Sequence, residues 1–370
     1  MHKIKYCGSL LDYSGYGEAN RHDVAALVSA GIDVSTEIPR YTPEIADFGE
    51  LGELVRSLDG KNNNHDIKIL HTTPNVYGMY HEPGKYHIGR VFWETTKLPT
   101  DFSEPINRYV DEVWTGSEHN KIAIANSGVT KPIYIIPEAI TVPAPNVEPY
   151  LIAQKESYKF YSIFEWTERK NPKALLEAYW SEFRAEDNVS LTIKTYVDNF
   201  SPHHKQEIAQ DIKKVKKRLN YQYHAPLLLY TGLMSRNQIY RFHKSFDCFV
   251  SAHRGEGWGI PQMEAMLVGN PIISTNCGGI HDHLTENEAI LLPYKLEPLV
   301  ENSRNRQWYT QEQFWADVDM VSLRRWLRWA YENQKEARQL GKRGQNLVKN
   351  TFSTSSVGQI MKNRLEEIKL

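Results

Sequence analysis

Two glutamates, Glu256 and Glu264, stand eight positions apart around a glycine-bracketed turn, Gly255, Gly257 and Gly259, that runs into Pro261. Phe249 and Val250 end an apolar, strand-like run just upstream, and proline suits the first position of a helix, so the turn delivers backbone amides to a helix N-terminus. Such an end carries partial positive charge and unpaired N–H groups, which makes it a site for a phosphate or another anion. Glu264 is expected within the first helical turn and Glu256 before it, one carboxylate on each side of the bound group. Near the start of the chain, Gly15 and Gly17 form a second glycine pair between a strand and a helix, where ligands gather in open parallel sheets. That pair lacks the third glycine of the dinucleotide fingerprint, and a turn needing positive φ accounts for it equally well. One such turn in each half implies a ligand held in a cleft between the two.

The elements that must position these residues follow from apolar periodicity. Strands are expected at Lys3–Cys7, Ile67–Leu70, Arg90–Trp93, Glu112–Trp114 and Ile133–Ile136 in the first half. The second half repeats the pattern at Phe160–Phe164, Leu191–Lys194, Leu227–Tyr230, Cys248–Val250, Ile272–Ser274 and Ile290–Leu292. A helix over Ala19–Ala30 stops at Gly31, and helices are expected at Asp317–Glu332, Lys335–Lys349 and Ser355–Lys369. Strands alternating with helices argue for an α/β fold with parallel sheets covered by helices. Pro137, Pro143, Pro145 and Pro149 mark the stretch between the halves as a linker.

The 370 residues exceed one ordinary core, and 44 basic against 45 acidic residues exclude bulk attraction to nucleic acid. Cys7, Cys248 and Cys277 lie in apolar segments far apart and read as reduced core thiols of a cytoplasmic protein. No apolar run approaches the roughly 20 residues of a membrane span. Peripheral membrane contact stays open at Trp326 and Trp329 beside Arg324, Arg325 and Arg328, although an ordinary amphipathic helix fits as well. The basic run Lys213–Arg218 reads as a solvated helix face. His281, Asp282 and His283 suggest a metal only weakly, because helical residues i and i+2 point apart; surface or helix-cap positions are expected instead.

Taken together, Glu256 and Glu264 with seven residues between them, Ala265–Met266, Gly269 to Pro271 and Gly278–Gly279 resemble the retaining nucleotide-sugar glycosyltransferases of family four. Residues 164–179, Gly232 after its strand, the turn at 14–21 and the segments 90–99 and 113–121 extend the resemblance over nearly the whole chain. It implies a GT-B fold of two Rossmann-like domains: an acceptor domain over residues 1–145, a donor domain over 146–352, and a final helix, 353–370, returning to the first.

Carried over position by position, the resemblance implies that Glu264 accepts from the ribose hydroxyls of the donor and that Glu256 faces its sugar. The amides of Gly257, Trp258 and Gly259 would meet sugar hydroxyls or diphosphate, Gly15 and Gly17 would approach the phosphates, and Gly232 would lie in the donor site. Lys170, with Arg169 beside it, would neutralise the leaving nucleoside diphosphate, so no metal or other cofactor is expected. Three departures stand out: Glu165 replaces an arginine common in the family, Glu94 replaces a histidine near the reacting sugar, and Pro137-Glu138-Ala139 replaces a Pro-x-Gly turn. Glu94 could stabilise positive charge on the sugar or hold the acceptor hydroxyl. Trp93, Tyr16 and His119 are assigned to the acceptor side, with His119 equally readable as a helix-start residue; Tyr13, Tyr77 and Tyr80 would suit stacking on a glycan or plain packing.

The resulting expectation is retaining transfer from a UDP- or GDP-sugar to a hydroxyl acceptor: a glycan, a lipid-linked group or a small molecule. A nucleotide-sugar epimerase on the same scaffold and a non-catalytic carbohydrate-binding protein are the alternatives.

Overall fold

The computed structural model describes residues 2–39, 47–142, 147–150, 158–197, 202–299 and 308–370. The first half runs β1 (Ile4–Gly8), α1 (Gly15–Ser29), β2 (Val34–Glu37), α2 (Gly49–Leu58), β3 (Ile67–His71), α3 (Tyr77–Tyr80), β4 (Tyr86–Arg90), α4 (Ser103–Tyr109), β5 (Glu112–Thr115), α5 (Glu118–Ala125) and β6 (Ile133–Ile135). The second runs β7 (Tyr158–Glu165), α6 (Pro172–Glu182), β8 (Val189–Tyr196), α7 (Pro202–Leu219), β9 (Leu227–Tyr230), α8 (Arg236–Lys244), β10 (Cys248–Ser251), α9 (Ile260–Leu267), β11 (Ile272–Thr275) and β12 (Ile290–Leu292). A hairpin of β13 (Tyr294–Pro298) and β14 (Phe314–Val318) follows, then α10 (Met320–Glu332), α11 (Gln334–Thr351) and α12 (Thr354–Glu367).

Each half is a six-stranded parallel sheet, ordered β2-β1-β3-β4-β5-β6 and β12-β11-β10-β7-β8-β9. In the second sheet the chain reverses direction between β7 and β10. Right-handed crossovers then put α6 and α7 on one face and α8 and α9 on the other, and the buried side chains divide accordingly. The loops after β7 and β10 meet at this switch point, the place where an open α/β sheet binds ligands.

Several expectations shift in register. The apolar run at 90–93 is not a strand: β4 ends at Arg90, whose guanidinium grips Asp23 on α1 at 2.8 Å and the carbonyls of Ile136 and Pro137 at 2.6 and 3.0 Å. These bonds anchor the segment carrying Glu138, a fully enclosed carboxyl pushed well above its usual range by burial and then by Asp23. Gly15 and Gly17 lie inside the first turn of α1, neither with positive φ, and Ser14 caps the Gly17 amide. The helix expected from Asp317 starts at Met320, because Asp317 and Val318 pair in β14 and Asp319 caps the helix through the Ser322 amide at 2.7 Å. Strands β2, β13 and β14 are too short or too polar to stand out in the sequence.

His281 is no surface residue: it is enclosed between Ser274 Oγ at 2.8 Å and the Gly278 carbonyl at 2.9 Å. Trp326 and Trp329 are half-buried on α10 and pack on the core beside α6, and Arg328 pairs with Glu182 at 3.0 Å. The expected division at 145/146, with Pro143 and Pro145, lies outside the described residues. Helix α12 packs against α1 of the first half, where Val357, Met361 and Leu365 join its core. Among the described residues no helix is long and apolar enough to cross a membrane.

Candidate active site

Ser251 ends β10, and the chain passes through Gly255, Glu256 and Gly257 before α9 begins at Ile260. Gly259 caps the helix at φ +108°, a conformation that favours glycine. Gly255 is required for a different reason: a Cβ there would sit 2.0 Å from the Glu94 carbonyl, so the two halves touch through main chain at this point. Three side-chain hydrogen bonds join the two halves close to this turn. Asn120 Nδ2 donates to the Gly257 carbonyl at 2.7 Å, the His119 amide donates to Asp282 at 2.7 Å, and His283 bonds the Gly116 carbonyl at 3.0 Å.

Lys170, in the 3-10 turn after β7, donates to both oxygens of Glu256 at 2.6 and 2.7 Å. Arg169 lies 3.5 Å from Glu256 and 3.0 Å from Glu94, and it also donates to the Gly255 carbonyl at 2.9 Å. Tyr309 donates to Glu94 as well. Two carboxylates from opposite halves therefore share two cations, and the cluster is neutral as it stands. Burial alone would raise the Glu256 carboxyl; Lys170, His253 and Arg169 outweigh it and pull the pKa down to about 2. Gln262 on α9 leans on the same carboxylate at 3.4 Å and on Ser251 Oγ at 3.3 Å.

Glu264 has a separate set of partners. It is the fifth residue of α9, one residue deeper than expected and just past the first turn, which removes helix-dipole complementation as its reason for being there. Arg236 at the start of α8 binds one of its oxygens, and His243 Nε2 donates to the other at 3.2 Å. Behind His243 the donors run in one direction: Asn270 Nδ2 to Tyr161 Oη at 2.9 Å, then Tyr161 to His243 Nδ1 at 2.8 Å. This chain sets the histidine tautomer that donates to Glu264. Arg236 also reaches Glu18 on α1 at 2.8 Å, and Glu18 is held in turn by Arg21 at 2.6 Å and His22 at 3.0 Å. The N-terminus of α1 thus presents a buried carboxylate to the other half.

The structure brings Glu94, Arg169, Lys170 and Glu256 into one cluster, with Gly257 at its edge. Glu264 lies on the adjoining helix. Gly15 and Gly232 are both exposed, and a Cβ at Gly232 would meet open space. Trp258 is buried against Phe352 and His283, and Trp93 gives its indole N–H to Thr95 at 2.7 Å while its ring packs on Phe102. Tyr16 packs edge-on against His71. Burial lowers the His119 pKa, and its Nε2 makes no hydrogen bond among the described residues. Tyr77 is fully buried, its hydroxyl bonded to the Leu70 carbonyl. Sequence reasoning missed Glu18, Arg236, His243, Gln262 and Tyr309. Glu18 directly follows the Gly15–Gly17 pair and could have been drawn in with it; the others carry no local signal.

Residues 150–304 match the family model described as glycosyl transferases group 1. No curated protein sequence matches the chain. Solved structures that resemble it include sucrose-phosphate synthase from Thermosynechococcus elongatus, with TM-score 0.70, 13% identity and 99% of each chain covered. Anabaena HepE in complex with UDP-glucose superposes with TM-score 0.67 at 12% identity over 100% of both chains. The N-terminal domain of Candida albicans trehalose-6-phosphate phosphatase gives 0.60 at 12%, covering 99% of this chain and 97% of that one. The fold is GT-B: two Rossmann-like domains facing across a cleft.

Proposed function

We propose that this chain is a retaining glycosyltransferase that moves a sugar from a nucleoside-diphosphate sugar, with UDP or GDP as the nucleotide, to a hydroxyl acceptor. The observation that carries the reading is the Glu256–Lys170 pair at the N-terminus of α9, joined through Arg169 to Glu94 of the opposing domain. The group 1 match over 150–304 and the UDP-glucose held by HepE support it.

The cations on these carboxylates are the ones a diphosphate requires. On donor binding, Lys170 and Arg169 turn to the phosphate oxygens, and Glu256 is freed to face the sugar. Glu264 keeps one bond from Arg236 and one from His243, and its remaining lone pairs accept from the ribose diol. The bond between the sugar's anomeric carbon and the phosphate oxygen breaks as a bond to the acceptor oxygen forms on the same face, and the acceptor proton passes to the departing diphosphate. Glu94, still held by Tyr309, borders the acceptor hydroxyl. Lys170 and Arg169 supply the leaving-group charge stabilisation, so EDTA leaves the rate unchanged. We place the enzyme in the cytoplasm, in keeping with its three buried free thiols.

Calorimetry with UDP, GDP, ADP and CMP, followed by release of nucleotide from UDP-glucose and GDP-mannose, tests the reading. At least one nucleotide should bind, and Glu256→Gln should lower kcat by roughly 10²-fold while nucleotide affinity is kept. Failure to bind either UDP or GDP sinks the proposal.

A further inference from the structure

The hairpin of β13 and β14 belongs to the second half, yet the residues leading into β14 lie on the first. Trp308 and Tyr309 pack against the core of the first half beside Trp93, whose ring stands 5.8 Å from that of Tyr309. Consecutive residues of that half, Glu94 to Lys97, each meet the segment 309–314. Tyr309 donates its hydroxyl to Glu94, and Thr95 Oγ1 donates to Gln313 Oε1 at 2.9 Å. Thr96 and Phe314 bond each other twice, from the Thr96 amide to the Phe314 carbonyl at 3.1 Å and from the Phe314 amide to Thr96 Oγ1 at 2.9 Å. Lys97 pairs with Glu312 at 3.3 Å on the surface, where an ion pair adds little. Thr95 and Gln313 are enclosed, and Gln313 is fixed from behind by its donation to the Trp308 carbonyl at 2.9 Å. Leaving such buried polar groups unpaired is costly, so the two segments resist separation.

The same strand reaches the glutamate turn. N–H groups two residues apart lie on one edge of a strand, and the next along β14 after Phe314, that of Ala316, donates to the Arg254 carbonyl at 2.7 Å. Arg254 stands two residues before Glu256, pairs with Asp317 at 3.0 Å and lies over the Trp315 ring. One edge of β14 therefore holds the Glu94 segment at Phe314 and the Glu256 turn at Ala316, about 7 Å apart at a rise of about 3.3 Å per residue. Arg169 also holds Glu94, but it has a second task on the diphosphate. Burial, and then Glu94, push the Tyr309 hydroxyl above its ordinary range, so it stays a donor when Arg169 turns away.

We propose that the segment 309–316 is an interdomain latch, with Tyr309 and Gln313 as positioning residues that keep Glu94 of the first half at its working distance from Glu256. The inference rests on the transferase reading and deepens it: a strand of the donor half aligns the acceptor side of the reaction.

Steady-state release of nucleotide from UDP-glucose and GDP-mannose, calorimetry with UDP and GDP, and hydrogen–deuterium exchange, all on the full chain, test it. Tyr309→Phe keeps the ring and loses only the hydroxyl, and Gln313→Leu keeps the bulk and loses the bond to Thr95. Each should lower kcat about tenfold at unchanged donor KM and unchanged nucleotide affinity. In a Glu94→Ala background Tyr309→Phe should cost nothing further, because it acts through Glu94. Residues 94–97 should exchange about tenfold faster in Gln313→Leu, with β1 and β3 as in the wild type. Wild-type kcat in both variants, weaker nucleotide binding by either, a further loss in Glu94→Ala, or unchanged exchange over 94–97 each overturns the latch; nucleotide binding by the wild type then leaves the transferase reading standing. If the wild type binds neither nucleotide, the transferase reading falls, and exchange over 94–97 alone decides whether the latch holds that segment.

Discussion

Glu256 is an acid that burial would neutralise if Lys170 and Arg169 were not there, and two buried histidines, His253 in the same loop and His281 in the turn after β11, take up a proton only well below neutral pH. Burial pulls His253 down to about 4 and His281 to about 3, against an ordinary value near 6.5. Because both folded-state values are depressed, the unfolded chain takes up these protons first as pH falls. The stability they contribute is present above about pH 6.5 and is lost between there and about pH 3 to 4. Glu256, depressed to about 2, adds a second loss that begins near the unfolded carboxyl value of about 4.3. Melting temperature should therefore decline in two overlapping stages on acidification. His253→Gln should flatten the stage between pH 6.5 and 4, and an unchanged slope there would show that His253 does not titrate on unfolding. Legibility at this scale was uneven: Glu256 and Glu264 stand out by spacing and neighbours, Lys170 only through the family resemblance, whereas Gln262 and Tyr309 acquire a role only from where the chain carries them.

Among the elements, α12 shows how one position can hold two distant segments together. Gly358 lets this helix lie directly on α1: a Cβ there would stand 2.2 Å from the Ala26 carbonyl, which is main chain and cannot swing aside. Replacement by alanine should push the helices apart and cost about 1–3 kcal/mol, read as a lower urea midpoint at unchanged m-value. A change under about 0.5 kcal/mol would mean that the contact relaxes freely. Helix α9 illustrates what sequence conveys about an element and what it leaves out. Its existence and glycine cap were readable from Gly259 and Pro261, yet the helix begins at Ile260, and that single residue moves Glu264 out of the first turn. The strand expected at Arg90–Trp93 fails for a similar reason. Val91 and Trp93 are buried in the core of their own half and Phe92 packs against Trp258 of the other, all from a loop, and hydrophobicity alone does not distinguish that burial from pairing in a sheet.

At the scale of the whole molecule, the two domains are joined by charge as well as by shape. Arg236 holds Glu264 with one nitrogen and Glu18 of the other domain with another, so the orientation of the carboxylate proposed for the ribose depends on closure. Arg236→Met and Glu18→Gln should each weaken UDP or GDP binding by about tenfold, and the double variant should weaken it no further, because both break the same bridge. Additive losses in calorimetry would show that the two residues act separately. By itself the sequence determined the α/β alternation, the two halves, the glutamate pair around a helix start and the basic pair before α6. Each of these is written in local periodicity, turn chemistry or a short ordered motif. Only the tertiary structure decided which cation meets which carboxylate. Lys170 and Glu256 are 86 positions apart, and Arg236 and Glu18 are 218 apart, so no local rule pairs them. Those pairings arise because two parallel sheets end against each other, and because low-dielectric burial at that junction penalises a charged carboxylate left without a cation.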